Sequence, residues 1–179
     1  MSQKLLLNAK EITIILHRLA CQLVENHHDF SNTVLIGMQP RGKYLANRIK
    51  MILEKDYQIQ NITLGFLDIT FFRDDFRRSE KPLEASETQI DFLVEDKKVV
   101  FIDDVLYTGR SINAALTAIQ SFGRPSEVEL LTLIDRRFSR HLPIQPDYRG
   151  RQVDAINNEK VLVKWQDNDG EDAVYLVTK

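Results

Sequence analysis

The sequence predicts an α/β fold: a mostly parallel twisted sheet flanked by helices, with a small cap and a C-terminal β-hairpin. Three observations carry this. Short apolar runs alternate with segments of helical period, the order that builds a parallel sheet with helices on both faces. One run, in VVFIDDVLYTGRS (99–111), ends in two adjacent aspartates and a Thr-Gly turn that leads into a helical segment. Near the C-terminus VLVKW (161–165) and AVYLVT (173–178) flank DNDG, an antiparallel hairpin pattern.

Taken in order, Asn8 with Glu11 three residues on is a capping-box start. Ile12, Ile15, Leu16, Leu19 and Leu23 then recur at helical spacing, so 9–25 is an amphipathic helix. TVLIG (33–37) is a short apolar run ending in glycine, a buried strand. GKYLANRIKMILEK (42–55) returns to helical period through Leu45, Ala46, Ile49, Ile52 and Leu53. ITLGFLDITFF (62–72) is β-branched and aromatic and predicts a strand. Residues 73–90 are mostly charged and polar, with Pro82, and predict a long exposed loop. Loops of that length in compact domains are usually functional lids or disordered segments. A strand over 98–102, a helix over 111–122, a stop at Gly123–Pro125 and a strand over 127–134 follow. The region from about 135 to 179, hairpin included, is expected to form the cap of one domain spanning 1–179.

Composition narrows the function class. The 43% hydrophobic and 28% charged residues are ordinary for a globular domain. A net charge of -2 points neither toward nor away from nucleic acid, because a basic face can hide within a neutral total. The single cysteine, Cys21, excludes an intrachain disulfide and fits a reducing cytoplasm. No signal peptide and no membrane-length apolar run is expected. His17, His27, His28 and His141 lack metal-ligand spacing, so no zinc site is expected. The absence of G-x-x-x-x-G-K-[ST] and G-x-G-x-x-G weakens triphosphate and dinucleotide readings.

The aspartate stretch is the informative one. In open α/β sheets ligands bind beyond the carboxyl ends of the strands, where Asp103 and Asp104 are expected to fall. The turn after them leads to a helix N-terminus, whose unsatisfied N–H groups and dipole attract anions. Thr108 and Ser111 add hydroxyl donors, and Gly109 allows close approach of the backbone. An anion cradle beside two hydrogen-bond acceptors suits a phosphorylated sugar.

The same stretch resembles the phosphoribosyl diphosphate (PRPP) motif of type I phosphoribosyltransferases. The wider chain resembles one branch of them, the pyrimidine-operon attenuators with uracil phosphoribosyltransferase activity, through DDVLYTGR, GRPS (123–126), DITFFRDD (68–75) and LPI…DY.G (142–150). The resemblance implies roles. Asp103 and Asp104 would hold the ribose 2′- and 3′-hydroxyls. The backbone of Val105, Leu106, Tyr107, Thr108 and Gly109, with Arg110 and Ser111 beside it, would hold the 5′-phosphate. Gln39, Pro40, Arg41 and Gly42, in GMQPRG, would bind pyrophosphate, with the planar fork of Arg41 suited to a diphosphate. Asp103, Asp104 and Arg41 are the candidate catalytic residues, and Arg73 stands at the mouth of the expected lid. Mg²⁺ would enter through PRPP, with no direct protein ligand required.

The resemblance places the base near Leu106, Tyr107 and IDRRF (134–138), which carries Asp135 and Arg136. Purine-using relatives carry an aspartate where this chain has Tyr107. A phenol, with an ordinary pKa of about 10, does not supply that anion near neutral pH, which favours uracil, giving UMP and pyrophosphate. Two departures from the branch stand out: Gln39-Pro40 replaces a common Lys-Thr, and DRRFSRHLP is one residue longer than the usual D-R-G-H-R-E-L-P. Proline at 40 suits the unusual backbone of this loop, because X-Pro bonds reach cis cheaply. A homodimer or higher homo-oligomer is implied. Binding of an mRNA leader hairpin would need a basic face, for which Arg18, Arg136, Arg137, Arg140, Arg149 and Arg151 are candidates. The first-helix surface keeps Arg18 but carries Cys21 and Asn26 where more polar or basic groups are expected, and Glu25 adds negative charge. RNA binding should therefore be weaker than the family norm and owe much to Arg136, Arg137 and Arg140. The alternatives are an RNA-binding regulator with little catalysis and a salvage enzyme for another base.

Overall fold

Ser2–Leu7 form a strand, β1, and Asn8 then starts α1 (Ala9–His27) with both halves of its capping box: the Glu11 N–H donates to Asn8 Oδ1 at 3.0 Å and the Asn8 N–H to Glu11 Oε2 at 2.9 Å. In chain order follow β2 (Thr33–Met38), α2 (Gly42–Asp56), β3 (Thr63–Leu67), β4 (Lys98–Leu106), α3 (Arg110–Ile119), β5 (Glu127–Arg137), β6 (Tyr148–Asp154), β7 (Glu159–Lys164), the short α4 (Gln166–Asp169) and β8 (Ala173–Thr178). The computed structural model describes residues 2–73, 86–156 and 158–178. Most of the expected lid, with Asp74 and Asp75, lies outside the described residues.

Five strands form a wholly parallel sheet in the order β3-β2-β4-β5-β6, as the alternating pattern predicts. The hairpin is also where the pattern puts it, with β7 antiparallel to β8, but β1 joins it on the other side to make a three-stranded sheet. The expected cap region divides differently from its prediction. β5 runs on to Arg137, and β6 belongs to the main sheet.

All six residues of β2 are buried, as befits an inner parallel strand covered on both faces. On one face α1 and α2 bring Leu16, Leu19, Leu23, Leu45, Ile49 and Leu53 onto Leu35, Val100, Ile102, Leu131 and Leu133. On the other, α3 brings Ile112, Ala115, Ala118 and Ile119 onto Val34, Ile36, Val99 and Phe101. The apolar half of β4 is thus clamped between two layers, which fixes where its acidic end emerges. Phe101 is fully buried there. Phe101→Ala is expected to destabilise the protein by about 3–5 kcal/mol, seen as a lower urea midpoint with an unchanged slope.

Candidate active site

β4 does not stop at Ile102, where the apolar run ends. It carries Asp103 to Leu106 in register with Thr132 to Asp135 of β5, so the two acids lie inside the strand and not beyond it. Strand alternation then sends them to opposite sides. Half-buried Asp103 lines a cavity of about 720 Å³ with Arg73, Val105, the turn Leu106–Ser111, Ile112 and His141. Buried Asp104 lines a second, of about 430 Å³, with Arg41, Val105, Tyr107, Arg136 and the hairpin residues Val161, Leu162 and Val163. Val105 and Tyr107 border both cavities.

The first cavity has the features of an anion site. Gly109 sits at φ 89° as the N-cap of α3, a conformation glycine adopts without cost. No side chain caps this helix, and Thr108 Oγ1 lies 3.4 Å from the Arg110 nitrogen. The Thr108 carbonyl accepts from the N–H groups of His141 (3.0 Å) and Leu142 (3.2 Å), which seats the segment after β5 against the turn.

Burial, and next the charge of Asp104, push the Asp103 carboxyl well above the usual carboxylate range. Burial raises Asp104 as well, opposed chiefly by the positive charge of Arg41. Asp103 Oδ1 accepts the Asp104 N–H at 2.9 Å. Arg41 Nε stands 3.4 Å from Asp104 Oδ2, and Arg41 Nη2 donates to Asp169 Oδ2 at 2.7 Å and to the Val163 carbonyl.

The loop before α2 holds Arg41 from the other side. Its Gln39–Pro40 bond is cis, the geometry anticipated from Pro40. The Gln39 N–H donates to the Leu67 carbonyl at 2.9 Å, and the Gln39 side-chain amide donates to the Glu87 carbonyl at 2.5 Å. Gly42 is pressed on β4: a Cβ there would collide with the Ile102 carbonyl oxygen and lie 3.2 Å from the Asp103 Cα.

Arg136 and Asp135, expected together, are separated by the same strand alternation. Arg136 is buried, 4.0 Å over the Tyr107 ring, with Nη2 donating to the Glu159 carbonyl at 2.9 Å and Nε buried without a partner. Asp135 is turned to the far side, where it meets Arg140 and, at 3.3 Å, Arg149, in a third cavity. Asp135 therefore does not line the two cavities that share Val105 and Tyr107. The arginines named for RNA contact are also engaged: Arg18 with the Arg149 and Gly150 carbonyls, Arg137 with Asp154, Arg140 with Asp135 and the Tyr107 carbonyl, and Arg151 with the Leu6 carbonyl.

Two contributors escape a reading of the sequence. Asp68 accepts from the N–H groups of Thr70 (2.9 Å) and Ser86 (2.7 Å), bringing the start and return of the expected lid together. Asp169 meets Arg41. The acidic run DNDGED was the available signal for the second, though nothing in it names Arg41 as the partner.

The phosphoribosyl transferase domain model matches residues 2–168. Among curated proteins, the bifunctional protein PyrR of Synechocystis sp. is 41% identical over 172 residues, covering 96% of this chain and 95% of its own. The chain belongs to the phosphoribosyl transferases, in the PyrR branch. The bifunctional protein PyrR of Acetivibrio thermocellus is 45% identical over 162 residues, covering 89% of this chain and 85% of its own. Among solved structures, a hypoxanthine phosphoribosyltransferase of Trypanosoma cruzi superposes with a TM-score of 0.72 at 16% identity, covering 98% of this chain and 96% of its own. That likeness carries the phosphoribosyltransferase fold. Among the described residues no helix is long and apolar enough to cross a membrane.

Proposed function

We propose that this phosphoribosyltransferase moves the 5-phosphoribosyl group of PRPP to uracil, giving UMP and pyrophosphate. The observation that carries the reading is the pair of cavities bordered by Val105 and Tyr107, one with an uncapped helix start, the other largely apolar with a buried guanidinium. The 5′-phosphate takes the turn Leu106–Ser111, the ribose hydroxyls take Asp103 and Asp104, and the diphosphate takes the loop 39–42 with Arg41. The base takes the second cavity, between Tyr107 with Arg136 on one side and Val161–Val163 on the other.

In the reaction the bond from ribose C1 to the diphosphate oxygen breaks, a bond from C1 to uracil N1 forms, and the N1 proton is released. Positive charge gathers on the ring as the diphosphate leaves. Carboxylates fixed on either side of β4 orient the sugar and lie close to that charge, while Arg41 faces the departing oxygens. Among the described residues no three His, Cys, Asp or Glu groups converge on one point. Asp103 and Asp104 face different cavities and so do not form one Mg²⁺ site. The ion would enter on PRPP, held by substrate oxygens and water with at most one of these carboxylates beside it. When bound, it supplies neutralisation of the leaving diphosphate.

Tyr107 supports uracil over purines. Its ring lies against Arg136, and no carboxylate takes its place. The second half of the proposal is attenuation of pyrimidine genes through a leader RNA, supported by the word bifunctional in the relatives' names. Arg136 is buried, and Arg137 and Arg140 carry carboxylate partners. Phosphates would have to displace those partners, which supports binding weaker than the family norm.

Labelled PRPP with Mg²⁺ and a panel of bases, run beside an RNA gel shift, tests both halves. UMP from uracil, with no product from hypoxanthine or guanine, is the expected result. IMP or GMP formation would overturn the choice of base, and no product from any base would leave a purely regulatory protein. Tight, UMP-stimulated, sequence-specific RNA binding that survives alanine at Arg136, Arg137 and Arg140 would contradict the weak-binding half.

A further inference from the structure

We propose that Asp169 is a positioning residue for phosphoribosyl transfer: it sets the Arg41 guanidinium before a diphosphate arrives and keeps it from closing onto Asp104. The inference rests on the reading above and deepens it. α4 is only one turn long and is held in place by α2. Arg48 reaches Asp172 at 2.7 Å and Asp167 at 3.3 Å and lies 4.9 Å over the Trp165 ring, and the Tyr44 hydroxyl donates to Asn168 Oδ1 at 3.1 Å. Those contacts anchor the strap. Asp169 is the member that touches Arg41.

Its carboxylate has little freedom. Oδ2 accepts the Trp165 N–H at 2.9 Å as well as Arg41 Nη2, and Oδ1 accepts from the Asn168 amide at 2.9 Å. The Trp165 backbone bond, and then Arg41, hold the carboxyl below the usual range, so it stays ionised through neutral pH. With Nη2 shared between Asp169 and the Val163 carbonyl, the plane of the fork is fixed. Its Nε then stands 3.4 Å from Asp104, an ion pair without close hydrogen-bond contact.

Two carboxylates therefore compete for one guanidinium. Arginine and carboxylate prefer a bidentate fork, and Asp104 is the more buried of the two, with a side chain 12% exposed against 23% for Asp169. Without Asp169, the fork swings onto Asp104 and ties up both groups that the reaction uses. The effect falls on binding of the diphosphate, because a pair closed on itself must be opened before ligand enters.

The test compares the whole protein with Asp169→Ala, Asp169→Asn, Asp169→Glu and Asp172→Ala. Inorganic pyrophosphate with Mg²⁺ is titrated by calorimetry, and KM and kcat are measured with PRPP and uracil. In Asp169→Ala the pyrophosphate Kd and the KM for PRPP should rise about tenfold while kcat stays within about twofold. Asp169→Asn, whose amide oxygen still accepts from Arg41 and Trp165, should recover most of the loss. Asp169→Glu keeps the charge but moves it by a methylene, and should behave like the alanine variant; it decides the matter if Asp169→Ala does not fold. Asp172→Ala removes one anchor of the same strap but leaves the Trp165, Asn168 and Arg41 contacts of Asp169, and should lower Tm with at most about a twofold rise in either constant.

Wild-type pyrophosphate affinity in Asp169→Ala or Asp169→Glu would overturn the proposal, and so would an equal loss in Asp172→Ala. If the wild type binds pyrophosphate but forms no product from any base, the transfer reading falls while the titration still decides Asp169. If it does not bind pyrophosphate, both fall.

Discussion

Replacing Asp103 and Asp104 together by asparagine is expected to lower turnover by at least about a hundredfold while raising the melting temperature by a few degrees. The two effects have one origin. The carboxyls sit on either side of a strand clamped between helical layers, and burial raises the pKa of both. A carboxyl whose folded pKa lies above its unfolded value contributes its full stability below the unfolded pKa and loses it as pH rises through the folded one. At neutral pH the wild type therefore carries a strain that the amides lack. The Tm advantage of the variant should shrink toward zero as the pH is lowered below the ordinary aspartate range. Catalysis moves the other way, because displacement of the reacting carbon by about 1 Å costs roughly a hundredfold. Scanning calorimetry across pH, with PRPP titration at neutral pH, checks both sides. Unchanged PRPP binding in the double variant would remove the aspartates from the ribose site.

Gly42→Ala is expected to have the second largest effect. The added methyl would collide with the Ile102 carbonyl, a backbone atom of the inner strand that cannot yield without moving β4. The start of α2 must shift instead, and Arg41, one residue earlier, shifts with it. A loss of about 1–3 kcal/mol of stability follows from such overpacking. A fall in kcat/KM for PRPP of about a hundredfold follows from the displaced guanidinium. Urea denaturation and steady-state kinetics measure the two separately. A folded variant with wild-type kcat/KM would show that the loop position does not matter to the reaction.

The elements that bury a regular face were legible in the sequence. α1 announces itself through the Asn8–Glu11 box and a clean apolar stripe, and β2, β4 and β5 through apolar runs that two helical layers require. The edges were not. β1 and β6 each bury few side chains, and the Gly150-containing segment YRGRQVD has no alternation strong enough to mark a strand. The acidic end of β4 also read as loop, because charge inside an inner strand is unexpected. It is tolerated here because each carboxyl opens into a cavity and the backbone still pairs with β5. Within the site, the residues of one segment, Asp103 through Ser111, could be assembled from their spacing. What depends on which way a strand residue faces, or on partners far apart in the chain, could not: the turn of Asp135 toward Arg140 and Arg149, the stacking of Arg136 on Tyr107, and the grip of Asp169 on Arg41.

The pairing of β1 with β8 sets an order of events during biosynthesis. Ser2 lies opposite Thr178, so β1 has no partner in its sheet, among the described residues, until residues 173–178 have left the ribosome. All five strands of the parallel sheet are made by Asp154 and can begin to pair on the emerging chain while β1 waits, although Val161, Val163, Trp165 and Val174 complete the core on its α1–α2 face later. The small sheet closes last, and it carries α4 on the turn between β7 and β8. A translation product halted short of β7 would therefore hold the aspartates of β4 in place and still lack Val163 and Asp169, the partners that settle Arg41.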